Sequence, residues 1–225
     1  MRYLITILLL VLSDFVHSQE HGRTINQGIL YVSPNTLMSV ISDFTNQDLG
    51  EYTNDGEVLL RGDFTNDGIT TFSPEHQGYT RFQGLSVQEI RGSMPADFYD
   101  VLFDNASIQP AFHLYGDMSV SGNADFMLGI VDNDTYGGII IFEQGGTHTN
   151  TDNNSHVDGY VQKNGPEEFR YPIGDSGYYR FAGISPSGNN HQVFTGKYFL
   201  ENSDPLYPHS SRTGVIELIN DREYW

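Results

Sequence analysis

The sequence predicts an all-β protein: a right-handed parallel β-solenoid followed by a partial β-sandwich. Three observations carry this. The tetrapeptide Asp-Phe-Thr-Asn stands at 43–46 and again at 63–66, a recurrence that matches one coil of a solenoid. The turn tripeptide Asn-Asp-Gly stands at 54–56 and at 66–68. Between these turns Val58, Leu60, Gly62 and Phe64 share one parity while Glu57, Arg61 and Asp63 take the other, the pattern of a half-buried strand between two turns. Past the first eighteen residues no helical period is sustained.

Residues 1–18 read as an export signal. Arg2 supplies the positive start, Leu4 to Leu12 is an apolar run broken by Thr6, and Val16 and Ser18 precede the expected cleavage before Gln19. The run is too short to span a bilayer, and no second one follows. The solenoid is expected over 19–163, with room for roughly six or seven coils. Its inward residues are expected to include Val58, Leu60, Phe64, Phe82, Ile90, Phe98, Phe103, Leu114, Val120, Phe126 and Leu128. Gln88 shares the inward parity of Ile90, and its amide is expected to stack on equivalents in neighbouring coils. Residues 145–158 form a polar stretch, expected to be the least ordered part of the middle region. Beyond Gly165-Pro166 the chain is richer in Tyr and Pro. Residues 164–225 offer about four strands where a sandwich closes with about seven, so an incomplete sandwich-like domain is expected, with Trp225 exposed at its end.

The chain has 225 residues, with 29 acidic against 11 basic side chains and a formal net charge of −18. Such a surface repels phosphate backbones and anionic membranes, which excludes nucleic acid as an expected partner. Fourteen Phe and fourteen Tyr supply core area. There is no Cys, hence no disulfide framework and no thiolate site.

The order of phrases along the chain resembles exported β-helix proteins of Bacteroidota. The phrases are Gly62 to Gly68, Val87 to Gly92, Phe98 to Asn105, Ser155 to Lys163, Phe169 to Asp175, Tyr179 to Ile184 and Glu223 to Trp225. Proteins of that kind are large, secreted or surface-bound and adhesin-like, and often end in a type IX sorting domain. The resemblance implies the same location here, and an N-terminal portion of a longer protein.

Candidate chemistry is sparse. Asp132-Asn133-Asp134-Thr135-Tyr136-Gly137, followed by Glu143, has the spacing of a calcium loop at its first, third, sixth and twelfth positions. Tyr136 fails the fifth position, and a strand-like run follows where such a loop needs a helix. The alternative is a solenoid corner whose Asn and Asp make side-chain turns. His148 and His156 share the polar stretch with Asp152 and Asp158, without a recognisable zinc spacing. Gly183 to Gly188 approaches a nucleophile elbow but is one residue too long. Asp97 with Asp100, or Asp63 with Asp117, have the chemistry to flank a sugar. Arg61, Arg81 and Arg91 would stack on one face if an anionic polysaccharide were gripped there. Tyr171, Tyr178 and Tyr179 offer a stacking platform. The expected function is a non-catalytic secreted or cell-surface protein, structural or adhesive, meeting surface glycans or other surface proteins. The alternative is a polysaccharide-active enzyme or a carbohydrate-binding module. No catalytic residue and no cofactor other than calcium is assigned.

Overall fold

A computed structural model describes residues 22–185, 188 and 192–225; the expected signal, 1–18, lies outside them. The protein is a parallel β-solenoid. Its first coil holds β1 (Thr24–Asn26), β2 (Ile29–Val32) and β3 (Leu37–Val40). The second holds β4 (Phe44–Asn46), β5 (Glu51–Asn54) and β6 (Glu57–Leu60), and the third β7 (Phe64–Asn66), β8 (Ile69–Thr71) and β9 (Tyr79–Phe82). Then come β10 (Gln88–Arg91), β11 (Ala96–Phe98) and β12 (Asp100–Asp104), and after them β13 (Phe112–Leu114), β14 (Met118–Val120) and β15 (Asn123–Leu128). A sixth coil holds β16 (Val131–Asp132), β17 (Ile140–Phe142) and β18 (Thr147–Thr149). Equivalent strands pair in parallel from coil to coil, so three sheets run through these six coils.

The twenty-residue repeat holds only at the start, where Phe44 pairs with Phe64. Next, Phe64 lies beside Ile90 and Ile90 beside Leu114, because corners of different length are inserted while the strands keep register. Ten of the eleven expected core residues are buried. Leu128 is only half-buried. The ladder of β12 and β15 slips between Phe103 and Asp104, so Asp104 faces Leu128, and a bulge of this kind reverses the inward parity beyond it. Phenylalanines stack along the axis, with Phe82 and Phe103 at 5.8 Å and Phe103 and Phe126 at 5.2 Å between ring centres.

Polar ladders run inside the same core. Asn26 Nδ2 donates to Asn46 Oδ1 at 2.8 Å, and Asn46 Nδ2 to Asn66 Oδ1 at 2.9 Å. Room for Asn46 comes from Gly50, where a Cβ would lie 2.2 Å from Asn46 Oδ1. The ladder ends at Gly92, whose φ is +138° and whose Cβ would sit 1.9 Å from the Asn66 carbonyl oxygen; only glycine fits there. Gln88 is buried as expected, but equivalents in other coils do not satisfy it. Its Nε2 donates to the Leu60 and Gly62 carbonyls at 3.1 and 2.8 Å, and its Oε1 accepts from Asn105 Nδ2 at 3.2 Å.

The polar stretch 145–158 is not a loose loop: it carries β18, a turn closed by Asp152 and Ser155, and β19 (Val157–Asp158). Nor does the first sheet stop at Gly165. After β20 (Val161–Asn164) and β21 (Phe169–Arg170), β22 (Ile173–Asp175) adds in parallel to β19. The direction then reverses. β23 (Tyr178–Tyr179) returns along β22, β24 (Gly183–Ile184) along β21, and β25 (Val193–Gly196) along β20. The described strands of 164–225 extend the first two sheets and add the small β21–β24 pair, and one core runs from Val32 to Tyr198. Farther along, the chain is thinly covered: Val215 and Leu218 are 90% and 86% exposed. Trp225 is 56% exposed, with its indole N–H donating to the Arg180 carbonyl at 3.0 Å. Among the described residues no helix is long and apolar enough to cross a membrane.

Candidate functional site

Most corner aspartates are already engaged. Asp43 accepts from the Asp63 amide at 3.1 Å, Asp63 from the Glu89 amide at 2.8 Å, and Asp67 from the Ser93 amide at 2.9 Å. Asp100 accepts from Asn123, and Asp117 from Ile139. Each carboxylate accepts from a backbone N–H of the next coil, a charge-assisted bond. Much of the acidity therefore stitches coils together.

The same holds for the expected calcium ligands. Asp132 lies on β16 in the first sheet and accepts from the Thr135 amide at 2.9 Å. Asp134 is paired with Lys197. Glu143 follows β17 in the second sheet and accepts from Asn164 Nδ2 at 3.0 Å. Each is matched to a protein donor, and among the described residues no three His, Asp or Glu side chains converge on a cation position. These residues do not fit the ion.

The other sequence candidates separate as well. Arg81 is on the third sheet, paired with Glu57 at 2.7 Å, while Arg91 is on the first sheet, paired with Glu89; they do not share a face. Asp97 belongs to the second sheet and Asp100 to the third. His148 points into the core at the end of the third sheet, whereas His156 lies beside Gly174 on the first. Tyr171 is buried, and Tyr178 is half exposed.

What the fold does assemble is a cleft of about 500 Å³ where the third sheet ends. The first two sheets continue past the sixth coil through β19, β22 and β20, but the third stops at β18. The next strand in that position, β21, turns away to pair with β24. One wall of the cleft is 145–151, the other 167–170, with Lys163 and Tyr179 between.

Lys163 occupies the inward column that runs through Phe98, Val120 and Phe142. Its side chain is 1% exposed. Nζ donates to the Glu143 carbonyl at 2.6 Å, lies 3.4 Å from Glu167 Oε2 and 5.5 Å from the Phe169 ring centre. His148 Nε2 meets the Arg170 carbonyl, so Nε2 carries the proton and Nδ1 is a bare acceptor. Burial pushes the His148 imidazole below its ordinary value, against the pull of that carbonyl, which keeps it neutral at neutral pH. Arg170 lies over the Phe181 ring at 3.5 Å and forms no ion pair among the described residues. The parity of Lys163 with Val161 was a legible sign of its inward position. That His148, Lys163 and Arg170 meet was not legible, because it depends on where one sheet stops.

A second, aromatic cleft of about 800 Å³ lies under the chain's last residues, with Tyr160, Phe199, Tyr207, Tyr224 and Trp225 among its lining. On the first sheet, burial and then the neighbouring Asp175 push the Asp158 carboxyl up to about 6.

Compared with known proteins, the chain matches no family model, no curated protein and no solved structure.

Proposed function

We propose that this is an exported, non-catalytic surface protein, adhesive in role, whose partners are surface glycans or other surface proteins. One observation carries the reading. The repeated carboxylates are hydrogen-bonded to backbone N–H groups of the next coil, which builds a stiff stack and leaves few of them free for acid–base work. Export rests on the apolar start of the chain, and the surface location on the resemblance to adhesin-like solenoids.

The alternative, a polysaccharide-active enzyme, has a specific point in its favour. Asp158, raised to about 6, stands in register with Asp132 on the first sheet, as a general acid beside a second carboxylate would. The test is to incubate the mature protein with neutral and acidic glycans, and to measure both retention and product. Retention without product is expected. Release of shortened sugars, abolished by Asp158→Asn, would establish the enzyme reading instead.

A further inference from the structure

We propose that the cleft at the end of the third sheet is a binding site for a neutral saccharide. This rests on the adhesive reading and gives it a place and a ligand class. The first argument is the set of unused hydrogen-bonding atoms. His148 Nδ1 is a buried acceptor without a hydrogen bond among the described residues, Glu167 Oε2 has only its ion pair with Lys163 at 3.4 Å, and both residues line the cleft. Buried acceptors of this kind call for a donor. Arg170 brings the opposite need: a guanidinium held flat on Phe181, its N–H groups without a carboxylate. A ligand that satisfies all three must donate and accept at closely spaced points, as adjacent sugar hydroxyls do.

The second argument is charge. In a protein of net charge −18, the lining holds two cations, Lys163 and Arg170, against two carboxylates, Glu167 and Glu168, while His148 stays neutral. The cleft is locally balanced: a carboxylated sugar would gain Arg170 alone, since Lys163 already faces Glu167, and would meet both Glu167 and Glu168. The third is shape. Tyr179 offers a ring beside the Arg170 shelf, at 5.8 Å from the guanidinium, an amphipathic platform suited to the C–H face of a pyranose. An added peptide strand is disfavoured, because the His148 side chain already spans from β18 to the Arg170 carbonyl.

The test uses the isotope-labelled full chain, titrated with neutral disaccharides and with the matching uronic acids, followed by amide and imidazole resonances. Neutral sugars are expected to shift the amides of 145–151 and 167–170. They are also expected to move the His148 Nδ1 resonance as it begins to accept a hydrogen bond. Arg170→Ala is expected to weaken binding about tenfold, the scale of one hydrogen bond to a charged group, while Tyr207→Ala in the aromatic cleft leaves it unchanged. Shifts confined to other parts of the molecule would overturn the site and leave adhesion standing. No shift with any neutral sugar, or tighter binding of the uronic acids, would overturn the ligand class. Turnover of the sugar would overturn the adhesive reading whichever residues respond.

Discussion

Asn46 is the place where the internal ladder can be tested most directly. It is fully buried and makes three short hydrogen bonds: from Asn26 Nδ2 at 2.8 Å, to Asn66 Oδ1 at 2.9 Å and to the Ile69 carbonyl at 2.9 Å. Asn46→Ala removes all three. Asn26 keeps the Glu51 carbonyl as a partner, and Asn66 Oδ1 keeps the Thr70 hydroxyl, so the Ile69 carbonyl loses most. At about 1 kcal/mol per net bond the loss is about 3 kcal/mol. In a stack where each coil touches only its neighbours the damage is local. Amide exchange is therefore expected to quicken in β1, β4 and β7 and to stay slow in β14 and β17, beside a lower urea midpoint. Asn46→Asp should cost more than alanine, because it sets a carboxylate against two acceptors. That extra cost should shrink as pH falls and the acid regains a donor. A loss under about 1 kcal/mol, or exchange that quickens evenly along the stack, would refute the ladder as a stabilising device.

Further outcomes follow from other positions. Gly92→Ala places a methyl against the Asn66 carbonyl at a φ of +138°; the variant is expected to fold poorly or melt well below the parent, and an unchanged melting curve would contradict the close packing at that corner. Asp158 titrates near 6 when folded, above its ordinary 3.8, so its ionisation weakens the fold as pH rises between those values. Asp158→Asn should therefore raise the urea midpoint at about pH 8 and leave it nearly unchanged at about pH 4; equal effects at both would show that the carboxyl is not desolvated. Asp55 runs the other way. Burial would raise it, but hydrogen bonds from Ser73 and Tyr31 outweigh that and lower it. Its contribution is present at neutral pH and fades on acidification, so Asp55→Asn should lower the midpoint at neutral pH and matter less in acid. Because Asp132, Asp134 and Glu143 are each matched to a protein donor, melting curves in chelator and in millimolar calcium are expected to coincide; a calcium-induced rise would mean those pairs open.

The sequence by itself determined the fold class, because two properties are local. Alternation at Val58, Leu60 and Phe64 and turn chemistry at Asn-Asp-Gly need no distant partner to be read, and they place the strands and the corners. It also determined ten of the eleven named core residues, since inward parity follows from the strand period. The tertiary structure decided whatever depends on register between coils. Asn46 and Asn66 look like turn residues in sequence and become a buried ladder only when the coils stack in phase. Leu128 left the core because the ladder slips by a residue beside it. Arg81 and Arg91 read as one face and landed on two sheets, because they lie on consecutive strands, β9 and β10, with a single corner between them. The cleft has the same origin. No feature of 145–170 states that the third sheet ends at β18 while the other two go on. That ending leaves the His148 Nδ1 acceptor unpaired beside Arg170, and it arises from the turning of β21 toward β24, a pairing that only the folded chain shows.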